Sequence, residues 1–223
     1  MSDPSPRPGA LAAGLEAALV PSEARDAVAA RLRAPNALAV TTGQQPGLFT
    51  GPLYTVHKAL SAAALARVLE QRWGRPVVPV FWSAADDHDF AEASEASWIT
   101  ADGSVETATL APRPAEAPLT PMYREPLGPG LEPALAALER SLPPSEFREA
   151  TLTWLRRFYR PEATVAGAYA GALAELVARA GVVVLDSSHP AVKRAAAPFV
   201  LRALEEAAAL DDDLDRHAEA QGV

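Results

Sequence analysis

Three short stretches gather most of the residues in this chain that could do chemistry. The first is "TTGQQPGLFTGPLYTVHK" (41–58). In it, Tyr54 is followed by His57 at i+3 and Lys58 at i+4, which puts both beside the tyrosine on one face of a helix. Gly43, Gly47 and Gly51 permit unusual backbone angles and close approach of a ligand. Pro52 suits the first helical position with Gly51 as cap, so free N–H groups would face the positive end of the helix dipole. An imidazole, an ammonium and such N–H groups suit an anionic ligand or a developing phosphoryl charge. The plainer alternative is a glycine-rich turn, with His57 hydrogen-bonded between helix and sheet and Lys58 solvated. The stretch matches neither G-x-G-x-x-G nor G-x-x-x-x-G-K-[ST].

The second stretch, "FWSAADDHDF" (81–90), crowds Asp86, Asp87, His88 and Asp89 together. Close like charges resist joint ionisation unless a cation, a substrate ammonium or hydrogen bonds compensate. Capping of a helix by Asp86 or Asp87 accounts for the same pattern. Consecutive residues cannot all point at one ion, so no metal site is assigned. The third stretch, "LDSSHP" (185–190), offers Asp186, Ser187, Ser188 and His189 either to the same cleft or to a turn before Pro190.

The elements around these stretches explain why they should meet. "ALAVTT" (37–42), "PVVPVFW" (76–82) and "GVVVLD" (181–186) read as buried strands, with Pro79 an objection to a central place for the second. Residues 22–33 form an amphipathic helix through Ala24, Val28 and Leu32. A longer helix runs from Pro52 to about Trp73, its apolar stripe made of Leu60, Ala64, Leu65, Val68 and Leu69, and Gly74 ends it. Strand, helix and strand at this spacing make a βαβ unit with parallel strands, and ligands bind such sheets at the carboxyl ends of the strands.

Between the second and third strands the texture changes. A hairpin (97–110) turns at Asp102-Gly103, a proline-punctuated loop follows, and helices are expected near 131–142, 145–159 and 164–179. The expected organisation is therefore an α/β, Rossmann-like parallel core (1–96 and 181–223) with a largely helical connective insertion (97–180). A helix runs on from Pro190, and its acidic "DDDLD" (211–215) reads as a solvated face. A sheet with three visible strands is small, so the chain reads as incomplete at its C-terminus.

Composition bounds the partners. The formal net charge is −8 over 223 residues, which argues against a nucleic-acid surface. There is no cysteine, hence no disulfide or thiolate site. Glu16 interrupts the apolar stretch 9–20, which speaks against a signal peptide, and no run approaches a membrane span. A cytoplasmic protein without membrane association is the expectation. Lys58 and Lys193 are the two lysines among 20 basic residues.

"TGPLYTVH" (50–57) resembles the S-G-x-L-H-I-G-H element of the class I nucleotidylyl-transferase superfamily. It matches at Thr50, Gly51, Leu53 and His57, and departs where Tyr54 and Val56 replace the first histidine and the glycine. The three blocks together, in order and spacing, are similar to the bacillithiol-biosynthesis cysteine-adding enzyme family (BshC). That resemblance implies a ligase that joins cysteine to glucosaminyl malate through an amide in the last step of bacillithiol synthesis. It also implies a C-terminal coiled-coil domain beyond residue 223 that supports a homodimer. By analogy with the superfamily, ATP would activate the cysteine carboxylate, although the co-substrate is left open.

On this resemblance the catalytic residues are His57, Lys58, Asp87 and His88. Thr50, Gly51 and the helix N-terminus would join His57 against phosphoryl charge. Gln44, Gln45, Tyr54, Asp89 and Asp186 would bind substrate, the acidic cluster holding the cysteine ammonium or orienting the amine. Two other readings stand beside it: a non-catalytic nucleotide- or sugar-phosphate-binding module, and an α/β fragment with no independent role.

Overall fold

The computed structural model describes residues 14–114 and 116–222. The first part of the apolar stretch 9–20 lies outside the described residues. In chain order the elements are α1 (Arg25–Arg33), β1 (Leu38–Gln44), α2 (Tyr54–Trp73), β2 (Val77–Ser83), α3 (Phe90–Ala93), β3 (Glu95–Ile99) and β4 (Val105–Thr109). They continue with α4 (Leu131–Ser141), α5 (Arg148–Phe158), α6 (Val165–Ala178), β5 (Val183–Asp186), α7 (Pro190–Glu205) and α8 (Ala207–Gln221).

The core sheet has the order β1-β2-β5, and both pairings are parallel. Its carboxyl edge therefore gathers the ends of all three strands, as the spacing implies. Pro79 fits this central strand for a local reason. Ala84 N donates to Gln44 O on the β1 side, and Ser83 O accepts from Ser187 N on the β5 side. Odd-numbered β2 residues thus turn toward β5, whose ladder begins only at Val80↔Val183. Pro79 has no N–H to give at a position where no partner strand stands.

Helices cover both faces of the sheet. Val78, Val80, Val183 and Leu185 pack on Val28, Ala29 and Leu32 of α1 and on Val192 of α7. On the other face Phe81 and Val184 meet Ala59 and Ala63 of α2 and Tyr169, Leu173 and Val177 of α6. Helix α6 falls within the expected insertion, yet it packs on the sheet as a crossover helix leading into β5. Its small and apolar residues are buried along nearly its whole length, because one side meets the sheet while Val165, Ala166, Ala168 and Ala172 pack into the core of the insertion.

The stripe expected on α2 is corrected. Leu65 is 45% exposed and Val68 59%, whereas Ala63 and Ala66 are 2% and 1% exposed. The helix faces the sheet with alanines, and of the five expected residues only Leu69 is buried. Small side chains let the helix axis lie close to the strands, and the larger ones are left outside. Gly74, at φ 62, ends α2 in the left-handed conformation.

The hairpin forms as β3 and β4, antiparallel, with Gly103 at φ 83 in its turn. The single helix expected after Pro190 is two, broken at Glu206 (φ −101, ψ 13). The acidic run lies exposed on α8. Before α1, Leu19 bridges Leu185 in antiparallel sense and Val20 N donates to Val184 O at 2.8 Å, so this segment lies along the outer edge of β5. Among the described residues no helix is long and apolar enough to cross a membrane.

Candidate active site

The loop from Gln45 to Leu53 carries the site, and its shape is set by crowding. None of Gly43, Gly47 and Gly51 has a positive φ. The left-handed angles fall instead on Phe49 (φ 53) and Thr50 (φ 63), a β-branched residue for which this region is strongly disfavoured. Such positions cost about 1–3 kcal/mol each and persist only when the surroundings enforce them. The glycines serve close approach. A Cβ on Gly47 would collide with the Gly51 carbonyl oxygen, and one on Gly43 would stand 2.7 Å from Trp82 O.

Tyr159 enforces the loop. Thr50 N donates to its hydroxyl at 2.6 Å, and the hydroxyl in turn donates to Gly47 O at 3.2 Å. Phe49 packs edge-on against the same ring, centroids 5.4 Å apart. Burial pushes the Tyr159 phenol far above its ordinary value, so it stays a neutral donor and acceptor. Sequence reasoning missed this residue, which sits 109 positions from its partner at the end of α5.

The expectation of free N–H groups at the start of α2 holds in part, one residue later than the spacing implies. The helix begins at Tyr54 with Leu53 as its N-cap, so Pro52 and Gly51 stand before it. The N–H groups of Gly51, Thr55 and Val56 are bonded to Leu48 O, Pro52 O and Leu53 O. Thr50 Oγ1 donates to Phe49 O at 2.5 Å. A loop that folds back on itself this tightly spends several of its own donors. Leu53 N and Tyr54 N keep no partner among the described residues, two donors where a phosphate-binding loop presents a whole turn of them.

What the loop does present is a polar chain. Lys58 Nζ lies 4.7 Å from the Tyr54 ring centroid and donates to Gln44 Oε1 at 2.8 Å. Gln44 Nε2 donates to Gln45 Oε1 at 3.3 Å, and Gln45 Nε2 to Asp87 Oδ2 at 2.9 Å. Asp87 Oδ1 accepts from Asp89 N at 2.7 Å. The Asp89 N–H, the Gln45 amide and His88 beside it hold the Asp87 carboxyl below its ordinary value, against the opposing effect of burial. Asp87 is therefore a carboxylate at neutral pH.

Gln44, Gln45, Thr50, Gly51 and Tyr54 line a cleft of about 770 Å³ whose far wall is the insertion, with Trp98 and Trp154 the largest side chains there. Trp98 Nε1 donates to Ser141 Oγ at 2.8 Å, which ties β3 to α4. The alternation of the hairpin, with Ala96 and Trp98 on one side, is the sequence signal that points Trp98 inward.

The other expected residues go elsewhere. His57 is exposed, lines none of the three cavities described and makes no side-chain hydrogen bond among the described residues. His88 and Asp89 border an open groove of about 960 Å³ between α3 and the proline-rich loop. Asp89 also caps α3 through Glu92 N at 3.1 Å. Asp86 accepts from Lys193 Nζ at 2.6 Å and from Ser187 Oγ at 2.9 Å, a tie from the end of β2 to α7. Asp186 lines a third, smaller pocket. No group of three His, Asp, Glu or Cys side chains among the described residues is placed to hold a metal ion.

Comparison with known proteins bears on this arrangement. A family model described as "Bacillithiol biosynthesis BshC, N-terminal Rossmann-like domain" matches residues 11–222. The chain is 36% identical over 175 residues to "Putative cysteine ligase BshC" of Prosthecochloris aestuarii, covering 78% of this chain and 31% of that protein. To the protein of the same name from Symbiobacterium thermophilum it is 36% identical over 217 residues, 91% of this chain and 38% of the relative. That from Koribacter versatilis is 39% identical over 173 residues, 77% and 31% of the two chains. The chain spans about a third of the length of these curated relatives. It belongs to the BshC family and carries that family's N-terminal Rossmann-like domain.

Proposed function

We propose that this chain supplies the substrate-holding core of a carbon–nitrogen ligase that joins cysteine to glucosaminyl malate as an amide. The observation that carries the reading is the family match together with the polar chain Lys58–Gln44–Gln45–Asp87 at the carboxyl edge of the parallel sheet. Open α/β sheets hold their ligands at this edge. The cleft of about 770 Å³ has room for a polyhydroxylated substrate. Trp98 and Tyr54 offer flat faces for a sugar ring, and the two glutamine amides give paired donors and acceptors.

Amide formation requires the attacking amine to lose protons. Asp87, ionised and fixed by the Gln45 amide and the Asp89 N–H, is the group in this network able to accept one. Lys58 anchors the other end of the polar chain, holding the Gln44 amide in place beside the Tyr54 ring. The His57 and His88 side chains take no part in the hydrogen-bonded chain from Lys58 to Asp87 and carry no step. The division into core (1–96, 181–223) and insertion (97–180) becomes part of the proposal with one change: α6 counts with the core. A homodimer and a cytoplasmic setting complete the reading.

The test is mass-spectrometric detection of the amide product when the protein carrying this chain is given cysteine and glucosaminyl malate, with and without a nucleoside triphosphate. Asp87→Asn is expected to lower turnover by about 10²–10⁴-fold, the range for a general base, with KM little changed. Absence of product under every condition, from protein shown to bind both substrates, refutes the ligase reading.

A further inference from the structure

The pocket at the end of β5 is separate from the cleft beside β1, and β2 lies between those two strands in the sheet. It measures about 310 Å³, with the 17–21 segment along β5 as one wall and the first turn of α6 as another. Its polar groups have defined hydrogen-bonding capacity. Asp186 Oδ1 accepts from Ser188 N at 2.9 Å and from Ser188 Oγ at 2.7 Å, which leaves Oδ2 without a partner among the described residues. His189 Nδ1 accepts from Ala191 N at 3.2 Å, so the neutral ring carries its proton on Nε2 as a donor. Tyr123 makes no side-chain hydrogen bond among the described residues. The rest of the lining is mostly apolar, with Ala18, Leu19, Ala166 and Ala170.

The other carboxylates at this edge are more fully engaged or more open. Asp86 is paired with Lys193, Asp87 has both oxygens occupied, and Asp89 caps a helix beside an open groove. We infer that the Asp186 pocket is a subsite for a small α-amino acid. Asp186 Oδ2 takes the ammonium, while His189 Nε2–H and the Tyr123 hydroxyl take the carboxylate. The apolar wall accepts a short side chain. The backbone N–H groups at the start of α6 are already bonded to Glu125 O, Met122 O and Thr164, so they do not compete for that carboxylate. The two substrates of a condensing enzyme would then approach from either side of the β2 end.

This inference rests on the ligase reading for the identity of the amino acid, and the experiment separates the two. Isothermal titration of the chain with L-cysteine, L-serine and N-acetyl-L-cysteine measures the need for an ammonium. Both free amino acids should bind, and the acetylated one should not. Asp186→Asn keeps an acceptor for Ser188 and removes the charge. It should weaken L-serine binding by about 10- to 100-fold, the range for loss of a hydrogen bond to a charged group. An unchanged melting temperature would show that the variant is folded; a fall of several degrees moves the comparison to Tyr123→Phe, expected to weaken binding of the carboxylate. Equal binding by wild type and folded Asp186→Asn, or equal binding of N-acetyl-L-cysteine, overturns the site. Product formation at unchanged KM for cysteine in Asp186→Asn would likewise sink the site while sparing the ligase. Asp186-dependent binding of L-serine without any ligation product leaves the site standing and removes the ligase.

Discussion

Tyr159 holds two strained residues in place through one hydroxyl, and that makes its loss measurable. Tyr159→Phe removes the acceptor of Thr50 N and the donor to Gly47 O in a buried setting. A buried group left unsatisfied costs about 1–3 kcal/mol, which lowers the melting temperature of a chain this size by roughly 2–4 °C per kcal/mol. Alkaline unfolding gives a second check. The folded state keeps the Tyr159 proton well above the ordinary phenol value of 10.0, whereas the unfolded chain releases it near that value. The raised value means that this stability is complete below about pH 10 and lost as pH climbs further. Urea unfolding between pH 9 and 11 should therefore fall less steeply in Tyr159→Phe than in wild type. Gly47→Ala should cost more than Gly51→Ala, because both meet backbone but the first would overlap the Gly51 carbonyl and the second makes only a tight contact of 3.2 Å with Leu48 O. The position of the glycines was legible in the sequence, but their use was not. Spacing shows where a turn falls, while which backbone atoms crowd a Cβ depends on how the loop folds back. A clamp from 109 residues away leaves no local trace at all.

Helix α2 teaches the corresponding lesson for elements. Its apolar period was readable, yet the large residues in it face outward because the sheet is approached by alanines. Enlarging those alanines should be costly and trimming the leucines cheap. Ala63→Leu or Ala66→Leu, both in a packed interior, is expected to destabilise by about 1–3 kcal/mol. Leu65→Ala should stay within about 0.5 kcal/mol, as for an exposed site, and chemical denaturation of the three variants decides the matter. Strands were easier to read than helices, since "PVVPVFW" and "GVVVLD" are buried on both faces and need no phase to be recognised. The placing of α6 was less accessible. A helix buried all round looks the same in sequence whether it lies on the core sheet or inside an insertion.

For the molecule as a whole, the parallel order of the strands and the meeting of three polar stretches at one edge followed from the spacing of the strands. That those stretches border separate cavities did not, because side-chain direction at a strand end is set by loop packing. The outer surface carries its own consequence. Phe199, Leu201 and Leu204 on α7 are 77%, 58% and 70% exposed. Sedimentation of the 223-residue chain should show concentration-dependent self-association, and Phe199→Ser with Leu204→Ser should reduce it. The segment along β5 bears on how the chain is made. Leu19 and Val20 leave the ribosome early, but the strand edge that receives them, at Val184 and Leu185, emerges only after the hairpin and the three helices that follow it have been synthesised. During translation these two apolar residues wait without their partner, so the wall of the small pocket closes late. Contacts this distant in sequence also slow folding. A nascent chain arrested before residue 181 should leave Leu19 open to protease, and one arrested after β5 has cleared the exit tunnel should protect it.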